Sequence, residues 1–249
     1  MIIQTTALSH SSRPSSRIFG SLRHILPTPG YSNSRNPRLN EDEAEDISAR
    51  YAVPLYVYAR ANGCDATLAE HLVQQFLLSL QPPFTAAGGL HGIVLQRLSQ
   101  LQPGTNPPAN ADPPRAGLLP ATHELEQHFI QLHADETSPL RAFRRSFGYG
   151  LIARALQCLQ EEARQSGHEA LFLSLHTFLT TDPKPCCLAR CCEQFGLPRA
   201  TVIAAIARLR LRLRELVDEL LLQTVADTGD LLHERSRLRR LLRESYLPT

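Results

Sequence analysis

Between Val202 and Leu220 an apolar side chain returns every three or four positions, at Val202, Ile206, Leu209, Leu213, Leu216 and Leu220. That period places all six on one stripe of a helix, which has to be covered by protein. Ahead of the stripe stands Gly196-Leu197-Pro198. Glycine closes a helix by taking the left-handed conformation, while proline ends one helix and suits the first turn of the next. A shorter helix over residues 188–195 precedes this corner, so residues 185–217 read as two helices joined by a tight turn. Leu211 falls opposite the seam, between arginines, and is expected to be exposed.

The second helix carries one sign of charge, because Arg199, Arg208, Arg210, Arg212 and Arg214 are accompanied by no acidic residue between 199 and 214. A helix-turn-helix that binds DNA needs a small residue where its helices cross, a turn glycine, and an apolar residue early in the second helix. Cys192, Gly196 and Val202 fall at those places, with cysteine where alanine is usual. The N-terminal end of the second helix would then offer Arg199, Thr201, Ala204 and Arg208 to base edges. Arg210, Arg212 and Arg214 flank the seam and are expected at phosphates. The plainer alternative is an amphipathic hairpin with solvated arginines. Agreement of turn, seam and charge favours DNA.

No stretch alternates apolar and polar residues as a strand does, so an all-α chain is expected. Its 249 residues, 43% of them hydrophobic, suffice for one or two domains. Residues 1–40 contain no acidic residue and read as a disordered leader. Residues 41–102 form a first helical unit, residues 103–137 a proline-rich linker, and residues 138–249 a second unit. Within the first, one helix runs from residue 41 past Pro54 to 58. A second spans residues 68–80 with Asp65 or Thr67 as cap, and a third residues 90–101. Further helices are expected over 123–133, 140–164, 168–179 and 230–245. In the 140–164 helix Phe143, Phe147, Leu151, Leu156 and Leu159 point inward, and Gly148 and Gly150 weaken the middle.

The six cysteines are Cys64, Cys158 and the pairs Cys186-Cys187 and Cys191-Cys192. They lack disulfide spacing, and with His168 or His176 they lack the C-x2-C spacing of zinc sites. Buried thiols in a reducing cytoplasm are the better account, with no metal and no cofactor. No phosphate-cradling glycine loop, HExxH or nucleophile elbow occurs, so an enzyme is not expected. His123, His128 and His133, spaced by five, wrap around a helix and read as solvated surface residues. No apolar run is long enough to span a membrane.

Two separated segments resemble one family. Residues 51–80, YAVPLYVYARANGCDATLAEHLVQQFLLSL, are similar to the polymerase-binding region two of extracytoplasmic-function RNA polymerase sigma factors. Residues 169–244 resemble region four of that family, with EALFLSLHTFL, the two-helix corner, RLRLRLRELVDELLLQTVAD and LLRES in order. The resemblance implies docking on core RNA polymerase through Glu70, His71, Gln74, Gln75 and Phe76. It implies reading of the upstream (−35) promoter element by the helix beginning at Arg199, and an anti-sigma factor or regulatory kinase as a further partner. His71 and Gln75 stand where family members carry acids, and residues 81–104 offer only Arg97 and Phe84 for melting promoter DNA. The alternative is therefore a sigma-derived DNA-binding regulator that no longer opens promoters.

Overall fold

The computed structural model describes residues 39–80, 89–102, 104, 119–133, 138–179, 181–225 and 228–246. The leader up to residue 38 and most of the linker lie outside the described residues. All regular elements among the described residues are helical, as the absence of strand patterning implies.

Helix α1, Leu39–Ala61, continues past Pro54. From Tyr51 to Ala59 it is buried on every side. A helix that is apolar all round belongs in the centre of a bundle. Helix α2, Ala66–Leu78, starts where Asp65 Oδ1 accepts from the Leu68 amide at 2.8 Å, satisfying one free donor of the first turn. Helix α3, Gly89–Arg97, continues as a 3-10 turn, Leu98–Gln100. Helix α4 is Thr122–His133.

Helix α5, Pro139–Gln165, is capped by Ser138 and stays unbroken at both glycines. Gly148 has a packing reason instead: a β-carbon there would lie 2.3 Å from Leu238 Cδ1. Then come α6, Glu169–Leu175, with a 3-10 extension His176–Leu179, and α7, Pro185–Phe195. Helix α7 begins three residues ahead of the expected start, because Pro185 occupies the first helical position, where its missing N–H is no loss. Helix α8 is Arg199–Leu222 and α9 is Thr228–Tyr246.

The sequence led us to expect two separate units, but α5 packs against α1 on one side and α8 and α9 on another. One hydrophobic cluster runs from Ile47 and Tyr51 through Phe143 and Phe147 to Leu216, Leu220 and Leu238. The cause is the small residues of α5. Ala142, Ser146, Gly148, Ala153, Ala155 and Ala163 are all buried, and they widen a stripe that the large side chains alone make look narrow.

Polar ties cross the same seam. Asp46 bonds Arg50 at 2.5 Å and Arg154 at 2.6 Å. Arg50 Nη2 donates to Gln223 Oε1 at 2.6 Å, and the His91 amide donates to the Thr224 carbonyl at 2.9 Å. Gln223 and Thr224 open the QTVAD stretch, so here that stretch fastens the α8–α9 turn to α1 and α3.

Candidate nucleic-acid interface

A second, smaller core holds the expected two-helix corner. It consists of Leu175 and Phe178, Leu188 and Cys191 of α7, and Val202 and Ile206 of α8. Gly196 ends α7 at φ 61°, ψ 29°, and its amide donates to the Cys192 carbonyl. Cys192, expected at the crossing, is half-buried and packs on this core. Open space surrounds the Gly196 α-carbon, so backbone strain alone decides a substitution there. Gly196→Ala is expected to destabilise the corner by about 1–2 kcal/mol, the left-handed penalty of an L-residue. A urea titration of the variant against wild type measures it.

The seam residues Val202, Ile206, Leu216 and Leu220 are buried, and Leu209 and Leu213 are half-buried against the core. Leu211 is 53% exposed, on the opposite side as expected. Arg199, Thr201, Ala204 and Arg208 are all exposed. Thr201, Ala204 and Arg208 line one groove of about 870 Å³ between α8 and the end of α5, together with Arg212, Glu162 and Ser166. Arg199 is outside that groove, on the first turn of α8, which holds no acidic residue. The unpaired N–H groups and dipole of such a turn favour an anion.

Two of the three flanking arginines are engaged within the protein. Arg210 donates from Nε and Nη2 to the Phe178 carbonyl at 3.0 and 2.8 Å, and also bonds Asp182 at 3.1 Å. It satisfies a helix end whose carbonyls would otherwise lack donors. Arg212 is ringed by Glu162 at 2.7 Å, Glu219 at 2.9 Å and Glu215 at 3.1 Å. The Glu162 bond, then those of Glu215 and Glu219, raises its proton affinity. Its charge is met within the protein. Arg214 is exposed and donates to the Arg210 carbonyl at 3.1 Å. Arg210 and Arg212, expected at phosphates, are held here by Asp182 and by Glu162, Glu215 and Glu219.

The set expected on RNA polymerase divides as well. Gln74 and Phe76 are buried, 4% and 3% exposed, and Arg97 covers the Phe76 ring at 5.4 Å. Glu70, His71 and Gln75 remain half-exposed. Glu70 Oε2 accepts from Thr122 at 2.6 Å, and His71 Nε2 lies 3.0 Å from Gln75 Nε2. Of the five, Glu70, His71 and Gln75 are the ones that reach solvent from α2.

No family model, curated protein or solved structure matches the chain.

Among the described residues, no group of three or more histidine, cysteine or acidic side chains is placed to hold a metal ion. No helix there is long and apolar enough to cross a membrane. Cys64 and Cys191 are buried, and burial pushes the Cys64 thiol up from its ordinary value. His128, read from sequence as a surface residue, is instead 3% exposed, with Nε2 3.4 Å from Ser146 Oγ. Burial lowers its pKa to about 4. His123 is exposed, and the His133 side chain lies outside the described residues.

Sequence reasoning passed over His91, also 3% exposed, in the layer between α1, α5 and α9. Its ring lies tilted by 30° against Phe147, with centres 4.5 Å apart, and 6.1 Å from Phe143, and Nδ1 is 3.3 Å from Tyr51 Oη. A histidine among apolar neighbours, as in Leu90-His91-Gly92-Ile93-Val94, was the available signal.

Proposed function

We propose that the chain is a transcription-initiation protein of the extracytoplasmic-function sigma type, binding promoter DNA through the α7–α8 corner while docked on core RNA polymerase. One observation carries this reading: the left-handed Gly196 and Pro198 turn α8 so that Arg199 and its first turn stand free in solvent above a private core. A helix end so presented suits the major groove, where arginine pairs with guanine edges. Ala204, further along α8, suits a thymine methyl. The chemistry is non-covalent, so the residues supply position and affinity and the polymerase supplies catalysis. The reading keeps the two-part organisation of region two and region four, with α5 as the element both halves lean on.

Co-purification with core RNA polymerase, followed by sequencing of bound DNA, tests it. Failure to retain polymerase and absence of an enriched sequence would overturn it. Arg199→Ala and Arg208→Ala are expected to weaken a preferred duplex by about 1–3 kcal/mol each and to relax its sequence preference. Equal losses on preferred and random duplexes would remove those roles.

The burial of Gln74 and Phe76 favours a second reading, a DNA-binding regulator derived from such a factor that no longer opens promoters. Run-off transcription with purified core polymerase separates the two. Duplex binding without a specific transcript selects the regulator.

A further inference from the structure

Away from α8, the crossing of α5 and α9 gathers positive charge. Gly148 lets the helices approach closely, with Leu238 filling the space a β-carbon would need. This brings Arg144 of α5 beside Arg237 and Arg240 of α9. Burial and then the two neighbouring guanidiniums hold the proton affinity of Arg144 below its ordinary value. Glu234 acts the other way on Arg144, but its carboxylate is already bonded to Arg237 at 2.7 Å and lies 4.0 Å from His91 Nε2. One carboxylate thus faces two arginines and a histidine.

Arg144 Nε is closed to solvent and has no hydrogen-bond partner among the described residues. The buried Nε atoms of Arg50 and Arg154 are in the same position, but both of those guanidiniums bond Asp46 through Nη2. Among the described residues no carboxylate does this for Arg144. A buried donor left without an acceptor is costly, the more so on a charged group. Beside it is a cleft of about 10 Å³, lined by Arg144, Arg237, Glu234 and His91 with Phe147 and Leu238. That is room for roughly one oxygen-sized atom.

We propose that the α5–α9 crossing binds a phosphate group, with one oxygen in the cleft against Arg144 Nε and the others met by Arg237 and Arg240. Guanidinium forks match phosphate oxygens in shape and charge. The size of the cleft admits one oxygen and leaves the rest of the group in solvent, as fits either a free phosphate or a phosphodiester of a nucleic-acid backbone. The site is separate from the α8 corner and stands whether or not that corner reads bases.

The test uses the full chain with Arg144→Gln, and with Arg240→Gln as a variant of an exposed residue that leaves packing alone. In one arm inorganic phosphate is titrated calorimetrically against chloride of matched ionic strength. In the other, a random-sequence duplex is titrated at several salt concentrations. Wild type is expected to bind phosphate in preference to chloride, and each variant to lose about tenfold in affinity. If the ligand is a nucleic-acid backbone, the salt slope falls by about 0.9 for each contact removed. A response in the phosphate arm alone identifies a small phosphate compound; one in the duplex arm identifies nucleic acid. Folded variants that match wild type in both arms overturn the site. Arg199→Ala should leave phosphate affinity unchanged, so this site and the base-reading corner fail separately.

Discussion

Phe143→Ala is expected to destabilise both ends of the chain together, by about 3–5 kcal/mol. Phe143 is 0% exposed on α5 and parallel to Phe147, with ring centres 6.3 Å apart. Tyr58 of α1 meets it edge-on at 6.5 Å. The ring therefore closes the gap between α1, α3 and α5, and its removal leaves a cavity that rigid helices fill poorly. The same α5 forms a wall for α8, so loosening it is expected to reach the α7–α8 corner. Hydrogen exchange checks this, by comparing amides of α2 with those of the middle of α8. Both sets are expected to lose protection by a similar amount. Unchanged α2 protection beside a weakened α8 would mean two independent cores.

Acid should weaken the fold well before most carboxylates are protonated. Burial holds His91 and His128 at pKa values of about 4, against an ordinary 6.5. At His91, Arg144 and Arg237 add to the depression and Glu234 opposes it. With the folded value below the unfolded one, the unfolded chain takes up each proton first. The stability is complete above about pH 6.5 and is withdrawn as pH falls toward 4. By pH 5 the loss is about 2 kcal/mol for each histidine, from 1.36 kcal/mol per pH unit. Urea midpoints at pH 7 and pH 5 measure it, and a midpoint that stays level would refute both burials. His91→Gln and His128→Gln should each flatten the dependence by about half.

The helices that were legible in sequence are those whose signals are local. Asp65 marks the start of α2, and Gly196 with Pro198 marks the α7–α8 corner, because caps and left-handed turns are decided by neighbouring atoms. The α8 seam was readable for a related reason, since its period is set by the helix itself. Arg199, Thr201, Ala204 and Arg208 could be placed in the open because they follow that corner at the N-terminal end of α8.

Partnership across the chain lay beyond such signals. Arg212 looks like a phosphate ligand until Glu162, fifty positions earlier by number, is found against it. Phe76 looks like a docking residue until Arg97 and the core close over it. Gly148 reads as a weak point in a helix, although it is the place where Leu238 enters. The sequence by itself determined the helical class, the caps, the corner and the exposed arginine end. Only the tertiary structure decided which charges are spent inside the fold, which histidines are dry and that α5 joins the two halves, because those outcomes depend on which distant surfaces meet.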